Sequence, residues 1–443
     1  MEQRQFSDNF VWGAATAAYQ IEGSTQSDGK GESIWDRFSH TSGKISDGTT
    51  GDIACDHYHR YKQDVGLMKD IGLMAYRFSV AWTRIFPDGT GSINRKGLDF
   101  YDKLVDELLA SGVEPYVTLF HWDLPQKLQS KGGWHNRDTA VAFAEYSEVV
   151  VSKLKDRVKN WVTLNEPFIH WTLGHVYGIH APGEAKMFRS FEVIHHLMLA
   201  HGLALQRVRA IDSTLRVGIA NAMSPVYPVT QADEAVTERA RDITLRLFTD
   251  PIFKGKYPSF PNKLMNVFAR NVVHGDMSII SQPIDFLGIN HYTPARVKRT
   301  LMPLPGFQVV DPKNQPLTEM GWEIFPQGFY DLLTWVRNEY NNPPIFITEN
   351  GAAFNDVLQN NQVNDTERTE FYKNFLNAMH KAMMEGSNVQ GYFAWSLLDN
   401  FEWAFGNSKR FGLYYTNYET QERFLKNSGK WFAKLIATGS TQN

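Results

Sequence analysis

The chain has 443 residues, 42% of them hydrophobic and 13% aromatic, and its 45 basic against 48 acidic side chains leave a net charge of -3. That balance excludes the broad positive field a nucleic-acid backbone requires, and a single cysteine, Cys55, excludes an internal disulfide framework and any all-cysteine metal centre. No apolar run approaches the roughly 20 residues that cross a bilayer, and from the polar start, Met1 to Asn9, no secretory leader is expected. A cytoplasmic protein with no membrane or nucleic-acid partner is expected. At about 150 residues per domain the length suggests three domains, but apolar residues are spread evenly, with no Pro/Ser-rich or single-charge interruption. A single domain over 1–443 is the expectation.

Short β-rich runs alternate with helical ones along the chain. In order they are Phe10-Val11-Trp12, then 75–80, 115–120, 161–164, 217–220, 286–289, 345–348 and 392–395. Between the second and third, Phe100, Leu104, Val105, Leu108 and Leu109 recur with helical spacing, and Gly112 supplies a stop. Alternating strands and helices imply parallel strands with crossover connections, and eight such units predict an α/β fold of the (β/α)8 TIM barrel kind rather than an open doubly wound sheet. The wide spacing of the runs calls for long loops.

Burial on both faces explains the apolar content of barrel strands. It does not explain the polar residue at the C-terminal end of nearly every run: Gln20, Arg77, His121, Asn165 with Glu166, Asn221, Asn290 with Tyr292, Glu349, and Trp395 followed by Glu402. That end of a barrel is where enzymes of this architecture carry their chemistry.

Two carboxylates stand out by context. Glu166 precedes Pro167, which disfavours helical geometry and predicts an extended backbone there; Glu349 ends a strand that runs into an Asn350-Gly351 turn. They fall on the fourth and seventh strands, three places apart around a ring of eight, so they face each other across the mouth. Two facing carboxylates are what glycosidic bond cleavage requires, one as proton donor to the leaving oxygen and one as nucleophile or base. A separation of about 5 to 5.5 Å means retention of configuration, and about 6.5 to 9.5 Å means inversion.

Taken singly, each of these glutamates also reads as a rim carboxylate held by an arginine or backbone donors; it is their pairing with the other strand-end groups that favours chemistry. A hexose offers vicinal hydroxyls and a C–H face, which call for amides, carboxylates and imidazoles together with aromatic platforms. Gln20, His121, Asn165 and Glu402 supply the first kind, and Trp122, Trp395, Trp403 and Phe411 the second. His57, His59 and His121 complete no metal-ligand set. Neither a metal nor a cofactor is expected, and the partner is a small-molecule substrate.

Five segments are more specific still: Ala17-Ala18-Tyr19-Gln20-Ile21-Glu22-Gly23, Phe120-His121-Trp122-Asp123-Leu124-Pro125, Thr163-Leu164-Asn165-Glu166-Pro167, Ile347-Thr348-Glu349-Asn350-Gly351 and Leu398-Asp399-Asn400-Phe401-Glu402-Trp403. They resemble the signatures of glycoside hydrolase family 1, in particular its bacterial β-glucosidases, and the resemblance runs from about Phe10 to Phe432. It implies a retaining enzyme that releases terminal β-D-glucosyl residues from cellobiose-like oligosaccharides and from aryl or alkyl β-glucosides, with side activity on β-galactosides and β-fucosides and with transglycosylation.

By that resemblance Glu349 is the nucleophile and Glu166 the acid/base. Gln20, His121, Asn165, Glu402 and Trp403 bind the hydroxyls of the non-reducing sugar, Trp395 is its platform, and Arg77, Asn290 and Tyr292 orient or charge-balance the nucleophile. Trp322, His180 and Asn221 match leaving-group positions. Asn407 departs from the family pattern, in which tyrosine is common, close to the sugar-binding loop.

Three other readings weigh less. A 6-phospho-β-glycosidase resembles its relatives in having serine where Glu402 stands. A catalytically idle sugar-binding barrel gains nothing from a bracketing acid pair, and a metal-dependent barrel of the enolase kind needs three convergent acids at successive strand ends, which the sequence lacks.

Overall fold

The computed structural model describes residues 6–269, 272–301, 305–311 and 314–441; the start of the polar N-terminal segment, Met1 to Gln5, lies outside them. Eight parallel strands close into a barrel in chain order: β1 (Val11–Ala15), β2 (Ala75–Ser79), β3 (Glu114–Phe120), β4 (Asn160–Asn165), β5 (Arg216–Ala222), β6 (Phe286–Asn290), β7 (Ile345–Asn350) and β8 (Val389–Trp395). Every anticipated run is a strand. Ring closure sets Ala15 opposite Trp395 on one side and Arg77 on the other.

The anticipated helix spans Arg95–Ala110 and buries Phe100, Leu104, Val105 and Leu108, whereas Leu109 turns to solvent. Gly112 has φ 75°, and the Val113 amide donates to the Leu108 carbonyl at 2.9 Å. A left-handed glycine with that bond is how a helix satisfies its last carbonyls before the chain re-enters the sheet.

Aromatic rings fill the barrel interior beneath the strand ends. Tyr116 of β3 lies 4.9 Å from Phe393 of β8 and 5.5 Å from Phe346 of β7 between ring centroids. β3 neighbours neither β7 nor β8, so its ring meets theirs across the barrel. Glycines opposite make the room: a Cβ on Gly13 would sit 2.5 Å from the Phe393 ring. One contiguous apolar core extends from Phe6 to Leu435. A smaller cluster of Val226, Ala240, Ala295, Val297 and Phe307 underlies a three-stranded sheet in the long loops. No helix among the described residues is long and apolar enough to cross a membrane.

Candidate active site

The strands depart from regular pairing where the two carboxylates stand. The register of β4 on β5 shifts between Val162 and Asn165, and that of β7 on β6 between Ile347 and Glu349; irregularities of this kind re-aim side chains beside active sites. Glu166 is not extended. It is left-handed, with φ 45° and ψ 59°. Pro167 bars the right-handed helical region from Glu166, but Pro167 is also the first residue of the helix Pro167–Trp171. The chain must therefore turn from strand to helix within one residue, and the left-handed region makes that turn. Trp122 and Trp403 are also left-handed, with φ 77° and 47°. Conformations like these cost of order 1–3 kcal/mol each and persist where surrounding structure enforces them. Gly351 answers a close approach rather than a left-handed turn: a Cβ there would lie 1.9 Å from the Trp395 carbonyl oxygen.

Arg77 is the hub of the site. Its Nη1 donates to Glu349 Oε1 at 2.7 Å and to the Thr348 carbonyl at 3.1 Å, its Nη2 donates to Asn165 Oδ1 at 2.6 Å, and its Nε donates to Thr118 Oγ1 at 3.1 Å. The Tyr292 hydroxyl donates to the other oxygen of Glu349 at 2.7 Å. Asn290 links the strands by donating to Asn165 Oδ1 at 3.0 Å while accepting from the Thr348 hydroxyl at 2.6 Å. Glu349 is thus held by a guanidinium on one side and a phenol on the other.

Burial disfavours the charged form of every acid here, and the partners decide how far. Burial, and after it the charge of Glu349, pushes the Glu166 carboxyl well above the usual range. Burial raises Glu349 too, but Arg77 and Tyr292 oppose it. The proton of the pair therefore belongs on Glu166 and the charge on Glu349. Burial and the Glu349 charge push Glu402 up to about 8, against a hydrogen bond from Gln20. Burial, then the Arg77 charge, holds the His121 imidazole well below its usual value, and burial lowers His180 to about 3.

A cavity of about 310 Å³ opens over these groups, and His121, Trp122, Glu166, Asn290, Tyr292, Trp322, Glu349, Trp395, Glu402, Trp403 and Phe411 all line it. The rings form a continuous wall: Trp122 and Trp403 are 4.6 Å apart, and His121 stacks between Trp395 and Trp403 at 5.9 Å from each. Gln20, Arg77 and Asn165 stand one layer behind. Gln20 Nε2 donates to Asn400 Oδ1, the Phe401 carbonyl and Glu402 Oε2 at 2.9–3.4 Å. Asn165 pairs its Nδ2 with His121 Nε2 at 3.0 Å. Buried Gln20 Oε1, His121 Nδ1 and His180 Nδ1 have no protein partner, so each has hydrogen-bonding capacity left for a hydroxylated ligand.

One further expectation is corrected. Asn221 turns its amide away, to the Phe248 carbonyl at 3.2 Å and Thr249 Oγ1 at 3.1 Å, and braces a loop instead of lining the cavity. Asn407 stands two residues from the cavity-lining Phe405, and its backbone amide donates to Asp47 Oδ2 at 2.7 Å. His57 pairs with Asp64 at 2.8 Å and His59 with Asp56 at 2.6 Å. Thr118 and Thr348, which fix Arg77, went unrecognised because a threonine inside a strand is ordinary. Ile169, Leu173, Met223, Met320 and Phe405 of the rim were also missed, since loop apolar residues carry no periodic signal.

The model of glycosyl hydrolase family 1 matches residues 2–441. Beta-glucosidase A of Acetivibrio thermocellus is 48% identical over 98% of this chain and 99% of its own. A bifunctional beta-D-glucosidase/beta-D-fucosidase of Bifidobacterium breve is 42% identical over 99% of each. The structure of a beta-glucosidase from Thermotoga maritima in complex with N-octyl-5-deoxy-6-oxa-N-(thio)carbamoylcalystegine superposes with a TM-score of 0.95 at 45% identity, covering 99% of each chain. With the strand-end carboxylates already in place, these matches settle the classification: the chain belongs to glycosyl hydrolase family 1.

Proposed function

We propose that the chain is one catalytic unit, a retaining β-glucosidase that removes terminal β-D-glucosyl residues in two displacements. The observation that carries this reading is the unequal holding of the two carboxyls, with Glu349 gripped by Arg77 and Tyr292 and Glu166 left protonated beside it. Glu349 attacks the anomeric carbon while Glu166 gives its proton to the leaving oxygen. When the ester forms, the Glu349 charge that kept Glu166 protonated is gone, and Glu166 takes a proton from the water that hydrolyses the ester. Asn290 joins Arg77 and Tyr292 in orienting the nucleophile. Gln20, His121, Asn165, Glu402 and Trp403 bind the sugar hydroxyls, directly or through their neighbours, with Trp395 as platform and Trp122 and Phe411 closing the wall.

The leaving group lies toward Trp322. There the cavity adjoins a recess of about 500 Å³ that shares Ile169, Leu173, Ala222, Ser224, Thr293 and Trp322 with it and is otherwise lined mainly by apolar side chains such as Phe188, Phe191 and Leu264. Such a recess suits aryl and alkyl aglycones beside cellobiose, in keeping with the octyl-bearing inhibitor of the Thermotoga relative. An apolar alcohol seated there would intercept the glycosyl-enzyme and give transglycosylation. The Bifidobacterium relative supports side activity on β-fucosides, with β-galactosides as the further expected glycone. Among the described residues lining the cavity none is Lys or Arg, which disfavours a phosphorylated sugar. A role in degrading cellulose fragments in the cytoplasm fits these substrates and the single buried cysteine.

The test is proton NMR of the enzyme with an aryl β-glucoside, reading which glucose anomer appears before mutarotation. β-Glucose first upholds the double displacement. α-Glucose first makes Glu349 a base, and no turnover leaves a sugar-binding barrel.

A further inference from the structure

Outside the sugar cavity, among the described residues, one group of three metal-ligating side chains converges: His135, His175 and Glu184, with one donor atom of each within 4.8 Å of the others. Glu184 Oε2 is 2.7 Å from His135 Nε2 and 3.0 Å from His175 Nδ1. The other nitrogen of His135 meets Glu192 Oε1 at 3.0 Å. Glu184 Oε1 faces away, 3.4 Å from Gln129 Nε2 and 3.6 Å from Lys186 Nζ.

The backbone fixes this arrangement. His135 ends the turn Gly133–His135, and His175 lies in the segment Thr172–Val176. The Glu184 amide donates to the Gly174 carbonyl and the Lys186 amide to the His175 carbonyl, both at 2.9 Å, so the strand-like pairing presents His175 and Glu184 side by side. His175 is fully buried, while His135 and Glu184 keep 18% and 16% of their side-chain surface in solvent.

Another cluster in the same protein shows what a purely structural pair looks like. Asp276 takes His195 at 2.9 Å, but both its oxygens are also gripped by Arg137 at 2.5 and 2.6 Å, so its charge is met by a permanent cation. On Glu184 Oε2 two imidazoles stand where Arg137 stands on Asp276. Two imidazoles, once they give up the protons on the nitrogens that face Glu184, and a carboxylate are a first-row transition-metal donor set, as opposed to the oxygen sets of calcium or magnesium. A carboxylate on the far nitrogen of a ligating histidine is the usual outer support.

The geometry points to a divalent transition-metal site, zinc by donor set, formed by His135 Nε2, His175 Nδ1 and Glu184 Oε2, with Glu192 orienting His135 and a solvent-facing fourth position. Seating the ion displaces the imidazole protons now facing Glu184 and widens the two Glu184–imidazole separations to about 3.3–3.6 Å, the spacing of tetrahedral donors with metal–ligand bonds of about 2.0–2.2 Å. The ion ties three separate pieces together: the turn before helix Asp138–Leu154, the first turn of helix Phe191–Ile211 that carries Glu192, and the loop between them. That loop also carries Leu173 and His180 of the sugar cavity. The ion takes no part in the glycosidic steps; it stiffens one wall of the entrance.

Cobalt(II) tests this, because it reports its own coordination. Titrating tag-free enzyme should give one equivalent of visible absorption of tetrahedral type, which zinc abolishes, and zinc should raise the thermal midpoint. His135→Ala and Glu184→Gln should each lose the signal, with near-UV circular dichroism confirming the fold. Glu192→Gln, which removes no ligand, should weaken cobalt binding about 10–100-fold. If the wild type takes up no cobalt, or if His135→Ala and Glu192→Gln bind it as the wild type does, the cluster is an ion-pair network and the site is overturned.

Discussion

Two clusters of buried charge meet at the loop 397–403, which gives Asp399 to one and Glu402 to the other, and they are built on opposite plans. Behind the loop, Lys426 pairs with Asp356 at 2.5 Å and Asp399 at 2.6 Å, Arg368 with Asp365 at 2.5 Å and Asp356 at 2.7 Å, and Arg410 with Asp399 at 2.8 Å. Three acids meet three bases. In the mouth stand three acids, Glu166, Glu349 and Glu402, and one guanidinium, Arg77, which pairs with Glu349 at 2.7 Å. The first plan neutralises itself and anchors the loop, since Asp399 also accepts the Gly412 amide at 2.8 Å. The second leaves a surplus of acid in a site that burial has stripped of water, so protons are retained there. A charge excess that packing does not require is the mark of chemistry; a matched set, however buried, is the mark of architecture.

The comparison breaks most sharply at Glu349. Glu349→Gln should lower kcat with an aryl β-glucoside by at least about 10⁴-fold, as loss of a nucleophile does, while near-UV circular dichroism stays native. Comparable turnover in that variant removes the nucleophile assignment. The opposite outcome is expected behind the loop. Lys426→Met leaves Asp356 and Asp399 short of a buried cation and should cost about 3–5 kcal/mol in urea unfolding, with activity per folded molecule retained. A stable but inactive Lys426→Met would place chemistry in the matched cluster. Glu166→Ala falls next. It should slow substrates with poor leaving groups by about 10²–10⁴-fold and activated aryl glucosides far less, and equal losses on both would end its role as acid.

Much of this was legible in the sequence. Barrel strands buried on both faces are uninterrupted apolar runs, so all eight showed, and polar residues at their ends had no packing reason to be there. What stayed hidden was whatever depends on one residue doing two things, or on residues far apart. Pro167 both restricts Glu166 and starts a helix, and only the second role forces Glu166 to be left-handed. Asp399 looked like part of the sugar-binding run, yet its partners are Lys426 and Arg410 from the last segments of the chain. Asn221 ends its strand as the catalytic-face residues do, but the neighbouring loop, through Phe248 and Thr249, captures its amide. His135, His175 and Glu184 are separated by loops whose course no periodicity fixes.

The finest separation of the two clusters is in the pH dependence of stability. Glu402 stands at about 8 in the folded protein against an ordinary 4.5. Between those values the folded state keeps a proton that the unfolded chain has released, so its contribution is complete below about pH 4.5 and declines until the pH passes 8. Asp356 runs the other way. Burial alone would raise it, but Lys426 and Arg368 outweigh burial and hold it below its usual value, so its contribution is present at neutral pH and is lost as the pH falls through the acid range. The mouth therefore destabilises the protein toward alkaline pH and the matched cluster toward acid. Glu402→Gln, uncharged throughout, should flatten the decline in urea-unfolding stability between pH 5 and 8 by up to about 1.4 kcal/mol per pH unit, leaving the acid limb unchanged. The decline that remains belongs to the other acids that burial raises, among them Glu166 and also Asp123, pushed up to about 7. Parallel curves for the variant and the wild type above pH 5 would show that Glu402 is ionised in the folded site and that the surplus of acid is not held as protons.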